Sequence, residues 1–479
     1  ALLNPLLALA KRFPQAVFWP LQLSSHQDSV DRSLCFRPLW DELRRGSAPI
    51  QSALDFTNAL DYMSPHLRFQ SELKRMRDAL LKERWDEAKD VWRRIWRNFI
   101  ELEPSVVGPA RTEFAKRLRH VLEQEATVRK SPLSVRCGEL KDQDLEPQRK
   151  EPWGKLLQVL DGAARSSAQQ GGGNYELDFF SPWLANFDAR TKWSGSEDEW
   201  LEVPGQYGGL EKPDLRAHAR IIRFGSQVLV LNSKQKPKRL VVLGSDEQDH
   251  WFLVKGGEDL RLDARVEQLF EAMNGFLAES PVLGLRVRTY AVVPLLPDLG
   301  ILEWVRPTRT MKSIVLEMSK AKEMRDLEAH KMRTDWTAKY GRDLQQRYAQ
   351  IFRAPRADVE QAFRRCVAAF PTGATLRAFF ARAALSPEAL WHMRQRFAAS
   401  LAATSAASYI LGIGDRHLEN FLLCTRTMEV VPIDFGYSFG IGALLPVPEI
   451  APFRLTCFLS SVLQPLAGEH ARGVFFTSL

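Results

Sequence analysis

Asp415, Asn420 and Asp434 have the side-chain types and the spacing that phosphoryl transfer requires. Asn420 follows Asp415 by five positions in the segment GIGDRHLEN, and Asp434 comes fourteen positions after Asn420 in the segment IDFG. Phosphoryl transfer needs a base for the acceptor hydroxyl, metal ligands near the phosphates and positive charge for the developing anion. Carboxylate and amide oxygens are ligands suited to Mg²⁺. The spacing therefore predicts Asp415 as the catalytic base, with Asn420 and Asp434 as metal ligands.

A β-hairpin between these residues would bring the two metal ligands together. Phe421–Cys424 and Val430–Ile433 are β-prone runs separated by a turn. The structural alternative is that Asp415 caps a turn and that Asp434 merely ends a strand. The combined spacing and strand order favour the functional interpretation over this alternative.

Lys255 ends the apolar run WFLVK and is the predicted contact for the α- and β-phosphates of a nucleotide. A lysine that leaves a buried strand usually extends to water, so this role requires a carboxylate that orients the ammonium group. The acidic residues that follow are Glu258, Asp259, Asp263 and Glu267, and the sequence leaves open which of them pairs with Lys255.

The first third of the chain, which must support these residues, has helical periodicity. A stripe of apolar residues runs from Leu81 to Phe99, and a second stripe follows Pro109, which is typical of a first helical turn. The tryptophans on the first stripe are predicted to form core rather than a ligand groove. Residues 127–175 lose the periodicity and end in SSAQQGGGN, which is typical of a flexible connection.

The remainder of the chain predicts a sheet followed by helices, and hence an α+β fold. The predicted strands are Ile221–Phe224, Val228–Asn232, Leu240–Leu243, Trp251–Lys255, Val287–Val293 and Ile301–Val305. The predicted helices cover 260–277 and 359–370, and a long one begins after the capping sequence Ser386–Glu388.

The composition argues against a disordered or fibrous chain, a membrane-spanning protein and a metal or redox site built on cysteines. The 479 residues are 45% hydrophobic and 26% charged, which is ordinary for a globular chain. No apolar run reaches membrane-spanning length, and the five cysteines are scattered without metal-ligand or redox spacing. The net charge of +8 suits acidic partners such as nucleotides. Because the excess is spread along the chain, we expect little direct contact with DNA from this segment.

The order Asp415-Arg416-His417 reverses the His-Arg-Asp of ordinary protein kinases. Together with LEVPGQYGG, FLVKGGEDLRLD, RVEQLFEAMNG and LPVPEIAPFRLT, it resembles the phosphatidylinositol-3-kinase-related protein kinases. The resemblance runs from about residue 201 to the C-terminus and is weaker through the helical first third. It implies a two-lobed catalytic domain of the PI3/PI4-kinase type, preceded by an α-helical region with a four-helix module.

The same resemblance implies further site residues. Ser233, with Lys234, would face the phosphates from the glycine-poor loop NSKQKP. In the segment GILEWV, Trp304 would lie against adenine and the backbone of Val305 would bond its edge; core packing is the alternative for Trp304. His417 would lie near the γ-phosphate, with a hydrogen bond to the hairpin backbone as the equal alternative.

The resemblance also implies a division of the chain. The expected parts are the last helices of a larger helical collar (1–64), a four-helix gating module (65–126), a linker and lead-in (127–200), the kinase N-lobe with the ATP-binding sheet and hinge (201–305), and the C-lobe with the catalytic and activation loops (306–479). In the family, further helices and a C-terminal segment follow the FRLT motif. We therefore expect a truncated C-lobe, which leaves the activity of the fragment itself open.

By resemblance, the expected function is Mg·ATP-dependent phosphorylation of serine or threonine, preferably before glutamine, in nuclear repair of DNA double-strand breaks by non-homologous end joining. DNA would bind through end-binding partner proteins and upstream regions, and no membrane would be involved. The alternatives are another family member in damage checkpoint or growth signalling, a lipid kinase of the same superfamily, and an inactive scaffold. The segment Tyr437–Phe453 has no Lys or Arg, which favours a protein substrate over a phosphoinositide headgroup.

Overall fold

The structure is a computed structural model. It describes residues 3–25, 30–46, 48–101, 107–128, 150–167, 171–192, 200–208, 212–280, 284–318, 374–445 and 453–464, with isolated positions at 350, 353–358, 360–361, 364, 449, 451 and 475. The predicted helix at 359–370 lies largely outside these residues. The chain forms two compact units: the first unit contains Ala1–Ala264 and Ala291–Trp304, and the second contains Arg265–Tyr290 and Val305–Leu479.

Helices make up the N-terminal part of the first unit. They are α1 (Leu3–Arg12), α2 (Pro14–Ser25), α3 (Val30–Gly46), α4 (Ala48–Asp61), α5 (Pro65–Leu81), α6 (Trp85–Ile95, continued by a π-helical turn Trp96–Ile100), α7 (Pro109–Val128), α8 (Lys150–Ser167) and the short α9 (Leu177–Phe180), α10 (Pro182–Ala185) and α11 (Ala189–Lys192).

Helices α5 to α8 share one hydrophobic core. Phe69 and Trp92 are fully buried in it, and for Trp92 this agrees with the predicted core role of the apolar stripe. Leu157 and Leu160 of α8 pack into the same cluster. Helix α7 begins at Pro109, as predicted. The prediction of a flexible connection over 127–175 is therefore wrong for Lys150–Ser167, which is a packed helix.

The sheet of the first unit has seven strands. They are β1 (Gly173–Glu176), β2 (Ile221–Phe224), β3 (Gln227–Val230), β4 (Lys238–Gly244), β5 (Asp249–Gly256), β6 (Val292–Leu296) and β7 (Leu299–Glu303). Their order is β1-β3-β4-β5-β7-β6, with β2 also pairing with β4. All these pairs are antiparallel, and short loops connect β3 with β4, β4 with β5 and β6 with β7. One face packs on the N-terminal helices, where the rings of Phe56 and Phe224 stack at 5.6 Å.

The strand predicted at Val287–Val293 is wrong before residue 292, for a local reason. The side chain of Asn274 accepts a hydrogen bond from the amide of Val287 and donates one to its carbonyl, each at 2.8 Å. The Glu267 carboxylate accepts from the amide of Tyr290 at 3.2 Å. Because side chains of a helix occupy these backbone groups, strand pairing begins only at Val292.

The second unit is a helical body around a small sheet. Its elements are most of α12 (Arg261–Leu277), β8 (Thr308–Thr310), α13 (Met311–Met318), α14 (Ala374–Ala383), α15 (Pro387–Ile410), β9 (Phe421–Cys424), β10 (Val430–Pro432), a 3₁₀ turn at Ile441–Leu444, and α16 (Cys457–Leu463). The strand order is β10-β9-β8. Ser386 caps α15 by accepting from the amide of Ala389 at 3.1 Å, as the capping sequence predicts. Among the described residues, no helix is long and apolar enough to span a membrane.

Candidate active site

Arg416 organises the catalytic loop of the second unit. Its side chain is 3% exposed and donates to the backbone carbonyls of Gly414 at 2.8 Å, Ile433 at 2.9 Å and Asp434. Burial lowers the pKa of the guanidinium, while the carboxylates of Asp434 and Asp415 oppose that shift. Since a guanidinium remains charged even when its pKa falls, Arg416 ties the segment before the loop to the segment around Asp434.

Asn420, a predicted metal ligand, is hydrogen-bonded to the predicted base Asp415 and to Ile433, which precedes the other predicted metal ligand, Asp434. Its side-chain nitrogen donates to the backbone carbonyl of Asp415 at 2.9 Å, and its backbone carbonyl accepts from the amide of Ile433 at 3.1 Å. Strands β9 and β10 pair Phe421 with Pro432, so the residues that flank the hairpin, Asn420 and Ile433, lie side by side. The predicted hairpin is thus confirmed.

Asp415 and Asp434 both adopt left-handed backbone conformations, with φ of 57° and 63°. Aspartate tolerates this region better than most residues, and such conformations concentrate at functional sites. Phe435, next to Asp434, is fully buried and packs edge-on against Phe270 at 5.4 Å. The aromatic anchor and Arg416 therefore hold the exposed Asp434 side chain at a defined place.

His417 is held within the loop. Its Nδ1 accepts a hydrogen bond from the amide of Glu419 at 3.2 Å, and its Nε2 lies 3.9 Å from Oδ2 of Asp415. A neutral ring that accepts at Nδ1 carries its proton at Nε2, on the side of the Asp415 carboxylate. The amide of Glu419 belongs to the loop before the hairpin, so a bond to the hairpin backbone and a role near the γ-phosphate both stay predictions for His417.

The catalytic loop pairs with the segment that follows Asp434. The amide of Gly414 donates to the carbonyl of Tyr437 at 2.6 Å, and the amide of Gly440 donates to the carbonyl of Gly412 at 3.0 Å. A Cβ atom at Gly412 would lie 2.6 Å from the nitrogen of Gly440, so only glycine permits this approach. Oε2 of Glu449 accepts from the amide of Asp415 at 2.8 Å.

The donor set fits Mg²⁺. Within the described residues, no three His, Cys, Asp or Glu side chains form a metal-binding group. Asn420 is 6% exposed and uses its amide nitrogen towards Asp415, which turns its amide oxygen to the opposite side. One amide oxygen and one carboxylate, from Asp434, suit a cation that keeps several waters and binds phosphate oxygens.

Lys255 lies in the first unit and pairs with Glu258. The two charged groups are 3.3 Å apart, and the lysine side chain is 18% exposed. Asp259 is engaged by Arg261 at 2.5 Å, and Asp263 is buried in the first turn of α12. Glu267 belongs to the second unit, where it binds the amide of Tyr290. Of the four candidates, Glu258 is the one with an ion pair to Lys255 in the structure.

Ser233 and Lys234 are exposed in the loop between β3 and β4. The carbonyl of Ser233 accepts from the amide of Lys236 at 3.4 Å, and the loop closes with a bond of 2.9 Å from the amide of Leu231 to the carbonyl of Pro237. The loop is therefore a compact turn that follows β3 and ends just before Lys238, the first residue of β4.

After β7, Trp304 is the last residue of a segment of the first unit, and Val305 is the first residue of a segment of the second unit. The amide of Trp304 donates to the carbonyl of Trp251 at 2.7 Å. The guanidinium carbon of Arg239 lies 5.5 Å from the Trp304 ring and 4.4 Å from the Trp251 ring. Val305 is buried, and its carbonyl accepts from the Thr308 hydroxyl at 2.8 Å.

Comparison with known proteins identifies relatives of the chain. The sequence pattern described as phosphatidylinositol 3- and 4-kinase matches residues 250–471. The DNA-dependent protein kinase catalytic subunits of Dictyostelium discoideum and Mus musculus are 33% and 34% identical to the chain over 96% of its length. By these matches, the chain is similar to the phosphatidylinositol-3-kinase-related protein kinases.

The fold agrees with this family. The solved structure of the FAT and kinase domain of CtTel1 covers 99% of the chain with a TM-score of 0.51 at 21% identity, and the chain covers 34% of that structure. The chain spans 11% of the length of the two curated relatives. The resemblance and the two-lobed α+β fold predicted from the sequence are therefore confirmed, whereas the roles of individual residues stay predictions.

Two residues that build the loop, Arg416 and Glu449, carry no local signal for that role in the sequence. Arg416 is the middle residue of the triplet Asp415-Arg416-His417, and this position does not indicate its bonds to the carbonyls of Ile433 and Asp434. Glu449 lies in the segment PVPEI, and its bond to the amide of Asp415 crosses 34 positions. No local pattern in the sequence indicates a contact of that range.

Proposed function

We propose that the chain is the catalytic region of a serine/threonine protein kinase that transfers the γ-phosphate of ATP to protein hydroxyls. The observation that carries this proposal is the tethering of Asp415, Asn420 and Asp434 to one another through Arg416 and the β9–β10 hairpin. Base and metal ligands at fixed relative positions are what phosphoryl transfer demands, since it depends mainly on positioning and charge.

Residues of the second unit would act on the reacting groups. Asp415 would accept the proton of the substrate hydroxyl, and Asn420 with Asp434 would hold Mg²⁺. His417 would stabilise negative charge near the γ-phosphate. Mg·ATP supplies the phosphoryl group and the charge neutralisation that this chemistry requires.

Residues of the first unit would hold the nucleotide. Lys255, oriented by Glu258 at 3.3 Å, would contact the α- and β-phosphates, with buried Asp263 as a further acidic group of this region. The loop residues Ser233 and Lys234 would face the phosphates. Trp304 would stack on adenine, and the backbone of Val305 would bond the adenine edge.

A protein substrate is favoured over a lipid. Large hydrophobic side chains are exposed in the described segment after Asp434: Tyr437, Phe439, Ile441 and Leu444. The most exposed of them is Leu444, at 82%. A multiply phosphorylated headgroup would need basic residues, which Tyr437–Phe453 lacks. An apolar surface suits a peptide.

The biological setting follows from relatives that the chain covers only in part. From the similarity to DNA-dependent protein kinase catalytic subunits we infer a role in DNA repair. The proposed setting is nuclear repair of double-strand breaks by end joining, with phosphorylation of Ser or Thr before Gln. DNA-end-binding proteins would engage other parts of the protein, because the +8 charge of this chain is dispersed.

Phosphate transfer to three acceptors tests the proposal. The full-length protein should phosphorylate a Ser-Gln peptide in the presence of Mg²⁺, transfer less to the matched Ser-Glu peptide, and leave phosphatidylinositol vesicles unmodified. Asp434→Asn should lower the peptide rate about 100-fold or more, because the metal loses a carboxylate. The exposed Asp358 provides the matched control, Asp358→Asn, which should keep the full rate.

Three results would contradict the proposed function. Lipid phosphorylation without peptide phosphorylation would support the lipid kinase, and transfer to neither acceptor would support an inactive scaffold. Full activity of Asp434→Asn would remove the metal role from this residue.

A further inference from the structure

The first turn of helix α5 is joined to the strand that follows the phosphate-facing loop. Ser64 stands at the N-cap position of α5, yet its side chain makes no capping hydrogen bond. Instead, its hydroxyl oxygen accepts a hydrogen bond of 2.7 Å from Nζ of Lys238, which begins β4. Both residues belong to the first unit.

Lys238 is a buried lysine without a carboxylate partner among the described residues. It is 2% exposed; its ammonium donates to the Ser64 hydroxyl and to the carbonyl of Lys236 at 3.3 Å, and it lies 5.2 Å from the Phe180 ring. Burying an ammonium group is costly, and a methionine would fill the same space without that cost. Stability alone therefore does not explain a lysine at this position.

The lysine fixes the loop through its backbone. Lys236, whose carbonyl it binds, has a left-handed φ of 52°, and its amide donates back to the carbonyl of Ser233 at 3.4 Å. A non-glycine residue in this conformation needs such outside contacts to persist. The chain of bonds from Ser64 through Lys238 and Lys236 thus ends at Ser233, beside Lys234.

The same helical turn also contacts the backbone after Lys255. A Cβ atom at Gly256 would lie 3.3 Å from Cδ1 of Leu67, and one at Gly257 would lie 3.4 Å from Cδ2 of that leucine. Leu67 therefore packs directly on the glycine corner that follows Lys255. One turn of α5 supports both segments to which the proposed function assigns phosphate contacts.

We propose that the Ser64–Lys238 hydrogen bond makes α5 a positioning element for the triphosphate, with Lys238 as a positioning residue that sets the conformation of the loop 231–237. The inference rests on the proposed nucleotide site. It adds that the helical region before the sheet controls affinity for phosphates and not for adenine.

Binding of ATP and of adenosine to the full-length protein separates these contributions. Ser64→Ala and Lys238→Met should each weaken Mg·ATP binding about fivefold to tenfold, the size of one lost hydrogen bond. Adenosine affinity should stay within about twofold, since adenosine has no phosphate for the loop to contact. Ser64→Thr, which keeps the hydroxyl, should restore ATP affinity.

The controls address structural damage and additivity. Ser226→Ala and Lys212→Met remove an exposed hydroxyl and an exposed ammonium of the same unit and should leave both affinities unchanged. The double variant Ser64→Ala/Lys238→Met should weaken ATP binding no more than either single variant, because both remove one interaction.

Three outcomes would overturn the inference. Unchanged ATP affinity in both single variants would show that the bond does not set the loop. Equal loss of ATP and adenosine affinity would show general damage instead of a phosphate effect. A wild-type protein that binds neither ligand would refute the proposed nucleotide site itself, a result distinct from the other two.

Discussion

The side-chain nitrogen of Asn420 donates a hydrogen bond of 2.9 Å to the backbone carbonyl of Asp415. The bond links the proposed metal ligand directly to the proposed base. Since the amide cannot rotate without breaking it, the oxygen of Asn420 and the carboxylate of Asp415 keep a fixed relation. Metal binding and proton acceptance are therefore expected to respond together to changes at Asn420.

Asn420→Asp is expected to remove the hydrogen bond to the Asp415 carbonyl while it keeps an oxygen ligand for the metal. An aspartate offers a good ligand oxygen but sets a carboxylate oxygen against the Asp415 carbonyl, so kcat should fall about tenfold to 100-fold through lost orientation. The Mg²⁺ concentration for half-maximal rate should change little, whereas Asn420→Ala should raise it. Asn186→Asp removes the same type of bond, to the carbonyl of Pro182, at an exposed site and should have no effect. Unchanged kcat in Asn420→Asp would show that the tether is dispensable.

Arg416→Lys is expected to damage both stability and catalysis. A lysine ammonium cannot reproduce the fork that reaches the carbonyls of Gly414, Ile433 and Asp434. Leaving buried carbonyls unpaired should lower the free energy of unfolding by about 2–4 kcal/mol. Thermal denaturation and peptide phosphorylation measure the two effects. Arg426→Lys in the exposed hairpin turn is the control, and equal behaviour of the two variants would refute the hub role of Arg416.

Trp304→Leu is expected to weaken adenine binding. Loss of the indole face should raise the KM for ATP about fivefold to tenfold and leave kcat nearly unchanged. Adenosine affinity should fall by the same factor, unlike in Ser64→Ala. Trp391→Leu, at a tryptophan that is 46% exposed on α15, should change neither value. Normal adenosine binding by this variant would show that Trp304 packs in the core and does not stack on adenine.

Lys238 should make stability depend on pH above neutrality. Burial, with a contribution from Lys236, lowers the pKa of Lys238 from 10.5 to about 7. Between these values the unfolded chain binds the proton and the folded chain does not, so folding becomes more favourable as the pH rises through this range. The shift corresponds to at most about 5 kcal/mol. His66 nearby does not titrate in this window, because burial and the two lysines lower its pKa to about 4.

Thermal denaturation of wild type and Lys238→Met between pH 7 and pH 10 measures this effect as a difference. The wild type should gain stability relative to the variant as the pH rises, and Lys212→Met should follow the wild type. Parallel curves for wild type and Lys238→Met would mean that the pKa of Lys238 is not depressed.

Local patterns predicted many elements because short-range preferences agree with the fold there. The β-prone run Leu240–Leu243 lies within β4, where burial alternates along the strand, and Ser386 caps α15. Helix α8 was missed because the glycine-rich end of its segment outweighed Leu157, Leu160 and Ala164, which do recur at helical spacing. Val287–Val293 is a β-prone run, but Asn274 takes the backbone groups of Val287 that a strand would use.

By itself, the sequence determined which residues could carry out the proposed chemistry: a candidate base, an amide and a carboxylate at the spacing of Asp415, Asn420 and Asp434, with Lys255 at the end of a strand. Tertiary structure alone decided that Glu258 pairs with Lys255, that Arg416 joins the loop to Asp434, and that Lys238 reaches Ser64 across 174 positions. Spacing along a strand or a loop is fixed by backbone geometry and can be read locally. Contacts between distant segments depend on how whole elements pack, and no local preference encodes them.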